Sequence, residues 1–136
     1  MSGRLSVPLL EGDVHGSRVR FFASPTYVVT RQPDMPWHSV DDLWPLVLDG
    51  AAETLRRRLR SEWEEPRTVA TADGIVTIAP HFMAEGLFEA AIEAAGGDRF
   101  TRLRGRYRNC CTQAMKLMTA HLDPVQRMMF AVAATR

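Results

Sequence analysis

Thr68-Val-Ala-Thr-Ala-Asp-Gly-Ile-Val-Thr-Ile-Ala79 is the stretch of sequence that decides the fold of this chain. Valine, threonine and isoleucine, which favour strands, lie on both sides of a central Asp73-Gly74 pair. An Asp-Gly pair supplies the two positive φ angles that a type I′ turn requires. The stretch therefore predicts a β-hairpin over residues 68–79 that turns at Asp73 and Gly74.

Two more strand-like runs lie upstream of this hairpin. Arg18–Phe22 and Thr26–Thr30 are rich in β-branched and aromatic residues, and Ala23-Ser24-Pro25 separates them. This pattern predicts a second hairpin. Arg4–Leu10 is also apolar, but Pro8 within it allows an edge strand at most.

Helical patterns fill most of the remaining chain. Ser39 with Asp42 three residues later predicts a helix that kinks or restarts at Pro45 and ends at Gly50. A second helix is predicted over residues 51–64, and a third between Pro80 and Gly96-Gly97.

A long helix is predicted to follow from Asp98. Its apolar residues recur every three or four positions in a heptad-like seam, which consists of Phe100, Leu103, Tyr107, Cys110, Ala114, Leu117 and His121. Asp123-Pro-Val-Gln126 predicts the cap of a short last helix.

Hairpins and helices in this order predict a single α+β domain over residues 1–136, with two β-hairpins and four to five helices. A chain of 136 residues has the length of one domain, and its 46% hydrophobic and 24% charged residues are typical of globular proteins. No apolar run reaches the ~20 residues of a membrane helix. The adjacent Cys110 and Cys111 are poorly placed to bridge each other, so we expect no disulfide and a reducing, cytoplasmic location.

The charge of the chain is unevenly distributed. The net charge is only +1, but residues 1–98 hold 9 basic and 15 acidic side chains, whereas residues 99–136 hold 8 basic side chains and one acid, Asp123. All the basic residues except Lys116 are arginine. The planar guanidinium group suits phosphate, guanine or carboxylate partners.

Two arginine clusters are the candidate nucleic-acid-binding residues. On a helix, Arg99, Arg102 and Arg106 form one row, and Arg104 and Arg108 form a second row. The other cluster is the run Arg56-Arg-Arg-Leu-Arg60, of which Arg56, Arg57 and Arg60 are the candidates. Five arginines without an acid predict that either an anion such as a phosphate backbone or acids from residues 1–98 lie against them. Both alternatives remain open at this stage.

Motifs of catalysis and metal binding are not found in the sequence. It has no CxxC, HExxH or G-x-S-x-G pattern and no glycine-rich phosphate loop. Cys110 and His121 would lie ~16 Å apart along one helix, and His81 with Glu85 offers two ligands at most. Nearby arginines would lower the pKa of Cys111, whereas burial would raise it. We expect no enzyme activity, no metal and no cofactor.

The last helix, within residues 123–136, is apolar nearly all round. Such a helix requires a surface to pack on, either in its own domain or on a partner. We therefore predict that it, or the seam before it, buries surface in a homodimer or against another protein. The candidate interface residues are Met128, Met129, Phe130 and Val132.

Residues 18–118 resemble the N-terminal domain of phage antirepressors and viral BRO-type proteins, BRO-N. That family has a hairpin, a Pro-Trp segment that opens a helix, a second hairpin, an E-x-G-L-[YF] helix and a basic helix. The matching segments here are Met35-Pro-Trp-His-Ser-Val-Asp-Asp-Leu43, Thr71-Ala-Asp-Gly-Ile75, Ala84-Glu-Gly-Leu-Phe88, Phe100-Thr-Arg-Leu-Arg104 and Arg106-Tyr107. The chain differs from the family in having His38 after the tryptophan and an apolar helix at its end.

The resemblance implies a DNA-associated regulatory module of phage or mobile-element type, a class that also acts through protein partners. One hypothesis is that the arginines bind the DNA backbone while Trp37 and Trp44 anchor the core. The alternative is a protein-interaction module, such as an inhibitor, antirepressor or antitoxin-like factor, whose arginines pair with acids. A third hypothesis, an enzyme, predicts a pocket of convergent titratable groups.

Overall fold

The structure, a computed structural model, describes residues 5–31, 34–48, 57 and 67–134. These residues form one antiparallel sheet with the strand order β1-β2-β3-β5-β4 and five helices, which confirms the predicted α+β class. The strands are β1 Leu10–Val14, β2 Ser17–Phe22, β3 Trp37–Ser39, β4 Thr68–Thr71 and β5 Gly74–Ala79. The helices are α1 Pro25–Thr30, α2 Val40–Leu48, α3 His81–Ala95, α4 Arg99–Met118 and α5 Pro124–Ala134.

The first hairpin differs from the predicted one. β2 pairs with the upstream strand β1, and Val14 lies opposite Ser17 across the turn. The turn residues His15 and Gly16 have φ angles of 57° and 84°. Two positive φ angles in a two-residue loop define a type I′ turn, and the sequence signal for it was the His-Gly pair.

The segment predicted as its second strand, Thr26–Thr30, is helical. Ser24 Oγ accepts a hydrogen bond from Tyr27 N at 2.9 Å, and Pro25 occupies the first turn of α1. A serine cap followed by proline at the first helical position favours a helix start over the strand propensity of the valines. The prediction of a hairpin over residues 18–30 is therefore wrong.

The second hairpin is confirmed, but its turn type is not. β4 and β5 pair from Thr68–Thr77 to Thr71–Gly74, so the two central turn residues are Ala72 and Asp73. Neither has a positive φ angle, whereas Gly74, the first residue of β5, has φ +120°. The predicted type I′ turn at Asp73-Gly74 is wrong, because the positive φ falls one residue after the loop.

Gly74→Val is expected to destabilise the fold more than any substitution among Arg56, Arg57, Arg58 and Arg60. A β-branched side chain at φ +120° costs more than ~1 kcal/mol, whereas changes of surface charge usually stay within about 0.5 kcal/mol. Thermal unfolding of both classes of variant checks this. Equal melting temperatures would show that the backbone at residue 74 does not need glycine.

The N-terminal segment (residues 5–9) is not the predicted edge strand over Arg4–Leu10. It is irregular in the structure, and only Leu10 belongs to a strand. Ser6 N donates to Ala70 O at 2.6 Å, and Leu9 N donates to Phe21 O at 2.7 Å. Pro8 has no N–H for a continuous ladder, so the segment makes isolated bonds to two different strands.

Helices α2, α3 and α4 cover one face of the sheet and enclose the main core. α4 packs along β1 and α3, and α2 packs on β5 and β2. The core includes Val19, Phe21, Leu43, Phe88 and Tyr107. A smaller cluster on the other face consists of Phe22, Val76 and Ile78, with Trp37 and Val69 packed against it.

The predicted features of α2 are mostly confirmed. Ser39 Oγ accepts a hydrogen bond from Asp42 N at 3.1 Å, and Val40, Leu43, Trp44 and Val47 are buried. The helix continues through Pro45 to Leu48 without restarting. The predicted end at Gly50 and the predicted helix over residues 51–64 lie outside the described residues, except that Arg57 is helical.

Asp42 also ties α2 to the sheet through an ion pair that sequence analysis did not find. Its carboxylate accepts hydrogen bonds from Arg20 Nε at 2.7 Å, from Arg20 Nη2 at 2.9 Å and from Arg20 N at 3.0 Å. Both side chains are nearly buried, and this contact raises the pKa of Arg20. A buried bidentate pair of this kind fixes orientation, because breaking it would leave one buried charge unpaired.

Candidate functional site

α4 carries the predicted arginine cluster and is anchored by its buried face. The buried residues are Phe100, Leu103, Tyr107, Cys110, Cys111, Ala114 and Met118. The predicted seam is therefore right up to Ala114 and wrong beyond it, because Leu117 is 53% exposed and His121 lies exposed after the helix. A straight helix repeats every 3.6 residues, so its buried face drifts away from a strict heptad pattern.

Close contact with β1 fixes the position of α4 on the sheet. A Cβ atom built on Gly12 would lie 2.6 Å from Cys110 Sγ and 2.9 Å from Cys110 Cβ. The Cys110 thiol also contacts Asp13 O at 3.6 Å. Only glycine at position 12 permits this approach, and the opposite side of α4 is left facing solvent.

The first arginine row of α4 lies in solvent. Arg102 and Arg106 are exposed, and so is Arg99, whose guanidinium lies 4.8 Å from the centre of the Phe100 ring. Arg102 forms an ion pair with Asp98 at 3.5 Å, in which both side chains are mostly exposed. Arg106 forms no ion pair with any of the described residues.

The second row is neutralised in part by α3. Arg108 is held by Glu85 in a bidentate ion pair, with hydrogen bonds from Nε at 3.1 and 3.2 Å. The hydrogen bonds from Arg108 lower the pKa of Glu85. The positive charge of the half-buried Arg104 lowers this pKa further. The two predicted alternatives thus divide the cluster: Arg102 and Arg108 pair with acids from residues 1–98, whereas the exposed Arg106 forms no ion pair with the described residues.

The second predicted cluster is described at one residue only. Arg57 is helical and exposed and has an interaction within the chain. Arg56, Arg58 and Arg60 lie outside the described residues. The geometry of the candidate site is therefore described for the arginines of α4.

A group of polar side chains, all buried except the half-buried His81, lies at the buried face of α4, and sequence analysis missed it. Trp44 Nε1 donates to His38 Nε2 at 3.1 Å. The His81 ring stacks on Tyr107, and His81 Nδ1 lies 3.0 Å from Tyr107 Oη. Cys111 Sγ lies 3.8 Å from His81 Nδ1. The sequence motifs test histidines as metal ligands, whereas a histidine can also satisfy an indole or phenol in a core.

Burial keeps these polar side chains uncharged at neutral pH. It lowers the pKa of His38 to about 3, with a smaller contribution from His81, and it raises the pKa of Cys111 to about 12. It also raises the pKa of Tyr107 well above its usual value. The pKa of Cys111 is therefore raised by burial rather than lowered by the arginines, and the neutral thiol is a poor nucleophile.

The described part of the chain has no cluster of metal-ligating side chains. Between residues 5 and 134, excluding the undescribed stretches, no three His, Cys, Asp or Glu side chains are grouped so that they could hold an ion. Cys110 and Cys111 are both free and buried. Of the helices that are described, none has the length and apolar character to cross a membrane.

α5 presents an apolar stripe to solvent. Val125, Met128, Met129 and Val132 are between 50% and 66% exposed. The predicted cap is confirmed, since Gln126 N donates to Asp123 Oδ1 at 2.8 Å and Asp123 N donates to Gln126 Oε1 at 3.0 Å. The side chain of Phe130, also predicted at this interface, lies outside the described part of α5. The helix is well capped, but its described apolar side chains are at least half exposed.

Comparisons of the chain with protein families, with curated proteins and with solved structures found no match. The function is therefore inferred from the geometry of α4 and α5.

Proposed function

We propose that this protein is a DNA-associated regulatory module, of the phage or mobile-element type that the BRO-N resemblance implies, and that it binds the DNA backbone through α4. The observation that carries the proposal is the exposed row of Arg99, Arg102 and Arg106 on a helix that contains no acid. Arginine side chains in such a row suit phosphates, which position a protein on DNA without specifying sequence.

The ion pair within this row offers little resistance to DNA. An exposed i,i+4 pair such as Asp98–Arg102 contributes only about 0.3–0.5 kcal/mol. A DNA phosphate can therefore replace the carboxylate of Asp98 at small cost, and the release of counterions from the DNA favours this exchange. Arg108 is held by Glu85 and is therefore assigned a lesser part in the contact. Arg104, half-buried on the second row, lies beside it.

The test is the salt dependence of binding to a labelled duplex, followed by fluorescence anisotropy. The wild-type affinity should fall steeply with salt, by about 0.9 log units per log unit of salt for each phosphate contacted. The double variant Arg102→Ala/Arg106→Ala should lower that slope by about two and weaken all sequences alike. The fold should survive, because both positions lie off the buried face of α4.

A matched double variant, Arg18→Ala/Arg31→Ala, removes the same charge from exposed positions on other elements. It should keep most of the wild-type slope. An equal loss in both double variants would show that net charge, and not the α4 row, governs binding. Absence of DNA retention at low salt by a folded protein would overturn the proposal.

The apolar stripe of α5 favours a second candidate function, that of a protein-interaction module. Four half-exposed apolar side chains on one short helix are typical of a helix that lies in a groove of a partner. In that case the arginines of α4 would serve solubility and steering. A folded protein that ignores DNA but associates through α5 would support this candidate over the first.

A further inference from the structure

The solvent side of α4 is made of residues that do not favour a helix. Gly105 lies in the interior of this 20-residue helix, where glycine is less favourable than alanine. A Cβ built on Gly105 would meet nothing within 4 Å, so packing within the chain does not require glycine there. Thr101, Asn109 and Thr112 are also exposed on α4 and are weak helix formers. Local preferences are broken in this way chiefly at functional sites, which indicates a surface that meets a ligand.

The exposed arginine row of α4 continues along the helix as a row of polar side chains. Its members recur at alternating spacings of three and four residues, and all are exposed: Arg99, Arg102, Arg106, Asn109, Gln113 and Lys116. This spacing places them along one side of a helix. The side-chain amides of Asn109 and Gln113 make no hydrogen bond with the described residues. Each amide therefore offers a donor and an acceptor to a ligand.

The chemistry and the spacing of the two amides fit base edges in DNA. In the major groove, the side chain of asparagine or glutamine makes two hydrogen bonds with N6 and N7 of adenine. Asn109 and Gln113 are one helical turn apart, or about 6 Å along the axis at 1.5 Å per residue. Base pairs are stacked about 3.4 Å apart. The two amides therefore match base pairs about two steps apart.

The shape of α4 also fits the major groove. An α-helix with its side chains is about 10–12 Å wide, and the major groove of B-DNA is about 12 Å wide. Gly105 lies between the row of Arg102 and Arg106 and the row of Arg104 and Arg108. A position without a side chain lets the helix backbone approach a ligand closely, while the arginines on both sides reach outward. The major groove of an RNA duplex is too narrow to be read in this way.

We propose that α4 lies in the major groove of DNA, where Asn109 and Gln113 each select an adenine. The proposal rests on the proposed function and adds sequence selection to it. The arginines contact phosphates at the borders of the groove and position the helix, and the two amides read the bases. An acidic protein partner would also attract the arginines, but it would give the amides no base to select.

Selection from a library of DNA duplexes with a randomised centre tests the proposal. The wild-type protein should enrich a short motif that contains two A·T pairs. Asn109→Ala/Gln113→Ala should lose the preference at these two pairs and should bind the wild-type motif about tenfold more weakly or worse for each lost bidentate contact. Its salt slope should equal that of the wild type, because the amides carry no charge.

The outcomes separate this proposal from the contact with the DNA backbone. If the wild type binds DNA with a steep salt slope but enriches no motif, or if the amide variant enriches the same motif, sequence selection by α4 is overturned and the backbone contact stands. Equal affinity for an RNA duplex of the selected sequence would overturn the position in the major groove. A folded protein that retains no DNA at low salt would overturn the proposed function and this proposal together.

Gly105→Leu tests the close approach without changing charge. Because a Cβ at this position meets open space, the melting temperature should stay the same or rise, whereas the affinity for the selected duplex should fall at least tenfold. Gly86→Leu is the matched control, since Gly86 is an exposed glycine of α3 at which a Cβ also meets nothing within 4 Å. It should leave the affinity unchanged. Wild-type affinity of Gly105→Leu would contradict the close approach of α4 to DNA.

Discussion

The free energy of unfolding is expected to fall by about 2 kcal/mol between pH 6.5 and pH 4.5 because of His38 alone. His38 is fully buried, and burial lowers the pKa of its imidazole from 6.5 to about 3. In the unfolded chain the same imidazole titrates near its ordinary pKa of 6.5. Between these two values only the unfolded state binds the proton, so acid favours unfolding over this range.

The contact of His38 with Trp44 acts in the same direction as burial. The imidazole accepts a hydrogen bond from Trp44 Nε1 through Nε2, and a proton on that nitrogen would remove the bond. Burial also lowers the pKa of the neighbouring His81, which adds to the loss of stability in acid. The loss should therefore begin below pH 6.5 and continue towards the lowered pKa values.

Urea unfolding at several pH values checks this prediction. His38→Gln keeps an oxygen that can accept a hydrogen bond from Trp44 and removes the titrating group. The slope of its unfolding free energy against pH should therefore be smaller than that of the wild type by about one proton, or about 1.4 kcal/mol per pH unit. His121→Gln removes an exposed imidazole and is the matched control. If the wild type and His38→Gln show the same pH slope, His38 is not the buried neutral histidine of the folded state.

Gly12→Ala is expected to destabilise the protein by about 1–3 kcal/mol, the usual cost of overpacking a core. The added Cβ would lie 2.6 Å from Cys110 Sγ and 2.9 Å from its Cβ, and α4 cannot move back without disturbing its other contacts with the sheet. Cys110 is itself buried, so its side chain has no open space to turn into.

A double-mutant cycle with Cys110→Ala checks the physical cause. Removing the sulfur relieves the shorter of the two contacts, so Gly12→Ala should cost less in the Cys110→Ala background, with a coupling of about 0.5–3 kcal/mol. Gly105→Ala on the exposed side of α4, where a Cβ meets nothing within 4 Å, is the control and should stabilise slightly. Additive effects at Gly12 and Cys110 would contradict the close approach.

Most local features of the fold were predictable because their causes lie within a few residues. The hairpin at 68–79, the Ser39 cap, the Asp123–Gln126 cap and the end of α3 at Gly96 are all found in the structure. The errors over Thr26–Thr30 and Asp73-Gly74 also arose locally. There a Ser-Pro helix start competed with strand propensity, and the positive φ belonged to a residue just beyond the turn.

The residues of the candidate site were predictable from the sequence, but their ion pairing and burial were not. By itself, the sequence determined that α4 carries five arginines in two rows and that α5 is apolar. Only the tertiary structure decided that Glu85 on α3 holds Arg108, while Arg106 makes no ion pair with the described residues. It also decided that Cys111 is buried and Leu117 exposed. Caps and turns depend on neighbours within one turn of chain, whereas ion pairing and burial on α4 depend on elements that the fold brings together from residues far apart in the sequence.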